Sequence, residues 1–386
     1  MTDLPIVQFV ARPGIIDLGW GHPDPELLPT EGLREAASRV FDRYGPDALA
    51  YGYAAGPGPL IEWLCRHLGV IDGRAPTPDS VLVTAGNSHA LDQVATLLTQ
   101  PGDCVLVESP TYYLALRILR DHGLELVAVP SDAEGLRVDT LATTTAALRR
   151  QGHRVPLLYC VPTFNNPTGI SLSPERRRRL VELAAETGLV IVEDDVYREL
   201  AYDGPPPPSL WSLGLPGTVV RLGSFSKSLA PGLRAGYLTA NKGIVDRFRD
   251  AGLLDSGGGV SHFPSLLVAE FARTGEYEAN VERLRATYRE RRDALVATLS
   301  AAVDREAAWQ RPAGGYFIWL TLAHGEDARA LLKRAESAGT SFMLGETFYV
   351  EPEQGDGRSL RIAFTRYPTP TLGEAARRLG SAIRAA

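Results

Sequence analysis

The chain has 386 residues, 44% hydrophobic and 22% charged, with a formal net charge of −6 at neutral pH. That length allows two domains and a large buried core, and the acidic balance argues against nucleic acid as a main partner. No stretch is apolar for long enough to cross a bilayer, so no membrane partner is expected.

The opening stretch, MTDLPIVQFVARPG, lacks a charged head followed by an apolar core, so no signal peptide is read there. Cys65, Cys104 and Cys160 are far apart in apolar contexts. They show neither metal spacing nor a disulfide framework, so no metal is expected and a reducing cytoplasm is the default compartment.

Between residues 81 and 240, short apolar runs alternate with helical patterns. They are VLVTAG (81–86), CVLVES (104–109), LELVAVP (124–130), VPLLYCVP (155–162), LVIVEDD (189–195), VVRLGSFS (219–226) and AGYLTA (235–240). Continuous rather than alternating apolarity fits strands covered on both faces. Seven such strands predict an α/β large domain, 46–260, around a mostly parallel seven-stranded sheet. The RRRR run at 176–179, after Ser173 and Pro174, reads as the solvated start of a surface helix. PPPP at 205–208 reads as a rigid surface loop. From about residue 260 the texture becomes α+β: a long charged helix (278–299), YFIWL (316–320), a helix near 326–338, SLRIAF (359–364) and a last helix. Residues 1–45 and 261–386 are therefore expected to form a smaller second domain.

Function in open α/β sheets gathers at the carboxyl ends of the strands. There the sequence places Asn87, Tyr112, Asn166, Asp194 and Lys227, after the first, second, fourth, fifth and sixth runs. The turn TAGNSHALD (84–92) runs from strand to helix through small polar residues, a common anion cradle. Lys227, in GSFSKSLAPGLRAG (223–236), follows a buried strand, where an ammonium must be desolvated or paired. It is a candidate Schiff-base lysine. EDDVY (193–197) puts a costly acidic pair at the preceding strand end, which a protonated pyridine would neutralise. NNPTG (165–169) offers a side-chain amide held by a proline turn.

These motifs, in this order, resemble the fold type I pyridoxal-phosphate aminotransferases of class I/II. The similarity is to the branch holding kynurenine and 2-aminoadipate aminotransferases and the aminotransferase-like domains of MocR-type regulators. It runs from LGWGHPDPELLP (18–29) to SLRIAF (359–364); no winged-helix segment precedes it, which favours an enzyme over a regulator. The resemblance implies that Lys227 binds pyridoxal 5′-phosphate covalently and then shuttles the substrate proton. Asp194 would face the pyridine nitrogen, with Asp195 structural, while Tyr197 and Asn166 would bond the ring hydroxyl. Val196 would pack under one ring face and Tyr112 on the other, with Tyr113 in the core. Asn87, Ser88, Ser224, Ser226 and Arg234 would hold the phosphate. Arg361, with Asn166, would clamp the substrate carboxylate, Gly21 would belong to a segment closing over substrate, and Tyr51 would reach the site of a second subunit in a homodimer.

The chain departs from the family pattern at three places. His89 stands in the phosphate turn and is expected to be a structural hydrogen-bonder, neutral because it lies at a helix start. The turn after Tyr51 reads Gly56-Pro57-Gly58-Pro59, and Trp20 occupies a position that is often small. Arg12 could meet a distal substrate carboxylate but reads better as a surface arginine. Trp20 and Tyr316 suit an aromatic or large apolar donor, with 2-oxoglutarate as acceptor by family habit. The expectation is an aminotransferase. The alternatives are an elimination, replacement or condensation enzyme of secondary metabolism using the same cofactor, and a non-catalytic sensor of it.

Overall fold

A computed structural model describes residues 11–303 and 305–385, so most of the opening stretch read above as free of a leader lies outside the described residues. Strand β1 (Ile16–Asp17) is a short N-terminal element. The large sheet contains β2 (Val81–Thr84), β3 (Cys104–Ser109), β4 (Glu125–Asp132), β5 (Gly135–Leu136), β6 (Leu157–Cys160), β7 (Val190–Asp194), β8 (Val219–Ser224) and β9 (Gly236–Thr239). Their order is β2-β9-β8-β7-β6-β3-β4-β5. Pairings from β4 through β8 are parallel, whereas β9 lies antiparallel to both β2 and β8. The seven predicted runs all form strands. The sheet has eight because β5, two residues long, folds back antiparallel on the end of β4, too short to leave a periodic signal.

The apolar runs are continuous because the sheet is covered on both faces. Successive strand residues point to opposite sides, and they join different cores. Val105, Val107, Leu157, Tyr159 and Val192 pack on one face, Leu106, Leu158, Cys160 and Ile191 on the other. Helices Asn87–Leu98 and Tyr113–Asp121 cover the first face and Val138–Arg150 and Pro174–Thr187 the second.

A four-stranded antiparallel sheet follows, formed by β10 (Ala307–Trp309), β11 (Phe317–Leu322), β13 (Met343–Leu344) and β14 (Ser359–Ala363) in the order β10-β11-β14-β13. The remaining strand, β12 (Thr340–Ser341), pairs in parallel with β1 and so ties the N-terminal segment to this region. The predicted long helix spans Glu276–Ala302. Among the described residues, no helix is long and apolar enough to cross a membrane.

The RRRR run departs from its solvated reading at one residue. Ser173 accepts from the Arg176 N–H at 3.4 Å as an N-cap, and Arg178 and Arg179 are exposed as expected. Arg177 is instead completely buried. Its guanidinium donates to the carbonyls of Leu172 at 3.0 Å and Pro208 at 2.9 Å, to Pro162, and to the Thr163 hydroxyl at 2.9 Å. It thereby anchors both the loop leaving β6 and the polyproline loop. Asp195 is structural, held by Arg221 at 2.9 Å.

Candidate active site

The side chains at the strand ends named from the sequence lie near one another. Asp194, the last residue of β7, is buried and accepts from Asn87 Nδ2 and the Tyr159 hydroxyl, both at 2.6 Å. Burial pushes its carboxyl up to about 6, against the lowering effect of those two bonds. Among the described residues it forms no ion pair. A buried carboxylate with two donors and no cation fits a protonated pyridine nitrogen.

The turn after β2 opens a cradle beside it. Helix Asn87–Leu98 starts at Gly86 (φ 86°) with no side-chain cap, leaving its first N–H groups free for an anion. Ser88 is exposed at this start. The positive φ of Gly86 favours glycine, and a Cβ there would also lie 2.8 Å from a guanidinium nitrogen of Arg234. Arg234, itself left-handed at φ 47°, is exposed and donates to Ala85 O at 3.2 Å. Ser224 and Ser226 line the same side, half-buried, with the Ser226 N–H donating to Ser224 Oγ at 3.1 Å. Uncapped helix start, arginine and hydroxyls together fit a phosphate.

His89, the unexplained residue of this turn, accepts from the Ala85 N–H at Nδ1 across 3.4 Å. Its Nε2 is buried without a partner among the described residues. Burial lowers its pKa, which favours the neutral imidazole.

Lys227 lies three residues beyond β8. Its Nζ donates to Gly21 O at 3.0 Å and stands 5.2 Å from the centre of the Tyr316 ring. Burial first, then the charges of Arg361 and Arg234, draws its pKa down to about 8, with Asp194 opposing. The Tyr316 hydroxyl donates to Lys227 O at 3.0 Å. Tyr316 is thus a fully buried support for the lysine loop rather than an open pocket wall.

Arg361, in the middle of β14, is buried between the rings of Phe317 and Phe348, 4.1 and 4.6 Å from their centres. It donates to Asn166 Oδ1 at 2.7 Å and Gly19 O at 2.5 Å, and its Nε is unpartnered among the described residues. Burial draws its pKa down to about 10. No carboxylate pairs with it among the described residues. Asn166 reaches it because Asn165 builds the turn: its side-chain oxygen accepts from the N–H and the hydroxyl of Thr168, each at 3.1 Å.

Tyr197 and Tyr112 lie between these poles, and burial raises the pKa of both hydroxyls. Tyr113 is packed between Tyr112 and Phe348. Val196 is half-buried. Gly21 lies against Phe317, where a Cβ would come within 2.4 Å of the ring. Tyr51 stands apart: it is 88% exposed, and Tyr53 beside it 70%. Arg12 does not face the site, because Asp17 at 2.6 Å and Glu336 at 2.7 Å take its guanidinium.

Residues 13–379 match the family described as aminotransferase class I and II. The chain belongs to that family. It is 36% identical to a 2-aminoadipate transaminase of Thermus thermophilus, covering 98% of this chain and 92% of that one. It is 31% identical to aromatic-amino-acid aminotransferase 1 of Thermococcus litoralis, covering 98% and 90%. Among solved structures it is similar to the α-aminoadipate aminotransferase of Thermus thermophilus complexed with N-(5′-phosphopyridoxyl)-L-leucine, with a TM-score of 0.85 at 35% identity over 97% and 93% of the two chains. The protein is a pyridoxal-phosphate-dependent aminotransferase on the fold type I scaffold.

Sequence reasoning passed over two residues of this aminotransferase site. Tyr159 sits inside an apolar strand, LLYC, where its hydroxyl was the available signal. His22 lies between Gly21 and Pro23, its ring tilted at 37° to that of Trp20 with centres 5.6 Å apart. Burial and the charges of Lys227, Arg366 and Arg361 draw it down to about 4.

Proposed function

We propose that the enzyme moves an amino group from an L-amino acid with an aromatic or large apolar side chain to a 2-oxo acid such as 2-oxoglutarate. The carrying observation is Arg361: a buried guanidinium between two phenyl rings, without a carboxylate partner among the described residues. An α-carboxylate supplies that partner in a charge-assisted pair, and the phenyl rings favour an apolar neighbour. The names of relatives that act on aromatic amino acids or kynurenine support the same substrate class.

When bound, pyridoxal phosphate supplies an electron sink for the substrate's Cα electrons. In this reading Asn87, Ser88, Ser224, Ser226 and Arg234 hold its phosphate, and Asp194 keeps its pyridine nitrogen protonated. Tyr112 and Val196 would pack on the ring's two faces, and Tyr197 and Asn166 would bond its hydroxyl. Lys227 would hold it covalently through its ε-amine and, once the donor's amine has displaced that amine, would carry the donor's Cα proton. Arg361 and Asn166 orient the donor's carboxylate, and Gly21 closes with its segment over it.

The unit is proposed to be a homodimer, with Tyr51 contributed to the second copy's phosphate. Exposed Phe41, Leu49, Tyr51 and Tyr53 provide an apolar surface for it. Residues 46–260 would form the cofactor domain, 1–45 and 261–386 the smaller one, in a cytoplasmic enzyme.

The test incubates the purified protein with single amino acids and 2-oxoglutarate and measures glutamate. Glutamate from phenylalanine, tyrosine, kynurenine or leucine in preference to alanine and aspartate is expected. Equal or greater turnover of the small or acidic donors would overturn the substrate class.

A further inference from the structure

At the opposite end of the large sheet from the aminotransferase site, three metal-ligating side chains meet. Cys104 opens β3, and in the parallel register it stands beside Glu125, the first residue of β4. His153 lies in the loop before β6, fixed next to Cys104 by the Cys104 N–H donating to Arg154 O at 3.0 Å. Strand pairing thus joins residues that sequence spacing keeps far apart. The donor atoms of Cys104, Glu125 and His153 all lie within 4.8 Å of one another.

We infer that Cys104, Glu125 and His153 form a binding site for a divalent ion of the zinc class, remote from catalysis, with water as fourth ligand. The ligand set is one of sulfur, nitrogen and oxygen, as tetrahedral zinc takes. Cys104 Sγ stands 3.5 Å from Glu125 Oε2. A thiolate and a carboxylate bound to one tetrahedral zinc stand roughly 3.5 Å apart, given their usual bond lengths. Glu125 and His153 are exposed, so each has room to close on an ion, while Cys104 is buried and fixed by the sheet.

At the sulfur itself the neighbouring charges are negative, while three arginines stand on the His153 side. The sulfur faces the carboxylates of Glu125 and Asp103. Of the nearby arginines, Arg154 is paired with Asp103. Arg149 donates to the carbonyls of Thr187 at 2.7 Å and Val155 at 3.0 Å, and Arg247 donates to Leu97 O. A bound ion would tie the starts of β3 and β4 to the loop entering β6.

Zinc chloride titrated into the holoenzyme is expected, by calorimetry, to fill one site per protomer that magnesium does not compete for. E125Q and H153A alter exposed side chains and are each expected to weaken binding at least about tenfold, and C104S to abolish it. Cadmium in place of zinc should give ultraviolet thiolate charge-transfer absorbance, absent in C104S. Failure of zinc to bind, or binding unchanged in any one of the three variants, overturns the site.

Discussion

The Tyr159 hydroxyl donates to Asp194 Oδ2 at 2.6 Å from the neighbouring strand, while Asn87 holds Oδ1 at the same distance. Both atoms of the carboxylate are therefore oriented by the protein's own side chains. Burial works against ionisation of Asp194, and these donors work for it. The anion that a pyridinium requires depends on both.

Tyr159→Phe removes one of those donors and leaves the ring's packing in place. A hydrogen bond to a charged group contributes about 1.5–3 kcal/mol, so the Asp194 pKa should rise further. Turnover near neutral pH should fall by at least about tenfold, and the cofactor should dissociate more readily. Steady-state kinetics and cofactor retention on dialysis check both. Unchanged values would show that Asn87 alone suffices.

Lys227 gives a pH dependence whose sign follows from its environment. An ordinary lysine titrates near 10.4, and this one is drawn down to about 8. Below about 8 the ammonium dominates and cannot attack an aldehyde; above it the free amine does. The rate at which cofactor-free protein takes up pyridoxal phosphate should rise with pH to a plateau, with a midpoint near 8. Between that value and the ordinary one the folded chain binds fewer protons than the unfolded chain, so this group makes cofactor-free stability rise with pH there. Stopped-flow absorbance measures the uptake rate, and a midpoint near 10 would contradict the lowered value. Lys227→Ala should abolish turnover.

Arg361→Lys tests the carboxylate clamp. A lysine keeps the charge but cannot make two parallel bonds or stack between Phe317 and Phe348. The lost charge-assisted bond, at about 1.5–3 kcal/mol, should lower kcat/KM for the amino acid by roughly ten- to a hundredfold. The cofactor's absorption spectrum should stay unchanged, because Arg361 lies at the substrate end. A spectral change with intact KM would move Arg361 into the cofactor's own binding set.

Much of this architecture was legible because the chemistry demands rare placements. A lysine, an aspartate, an asparagine and an arginine at strand ends or within buried strands are each costly, so their order carried information. The seven long strands were equally plain, since both faces are buried. What escaped did so for physical reasons. Tyr159 hid in an apolar run because its ring packs like one. The ligands Cys104, Glu125 and His153 become neighbours only through strand register, which spacing does not reveal. Strand β5 is too short to have a period. Arg177 is different: it lies three, four and seven residues before Leu180, Val181 and Ala184, on the helix's inward stripe. That periodicity was present, and the run of like charges masked it.

Arg177 is accordingly expected to matter for stability rather than chemistry. Arg177→Ala would leave the carbonyls of Leu172 and Pro208 and the Thr163 hydroxyl without this donor, while the Pro162 carbonyl would keep only the Leu172 N–H at 2.8 Å. Each buried unsatisfied group costs about 1–3 kcal/mol, reduced where water enters at the exposed Pro208. A net loss of about 3 kcal/mol is expected, seen as a lower denaturant midpoint with an unchanged slope. Because Pro162 and Thr163 lead into the turn carrying Asn166, the variant should also show a raised KM that Arg178→Ala, on the exposed side of the same helix, does not. Equal effects from the two substitutions would mean that the charge run acts as a whole and that the buried fork has no separate role.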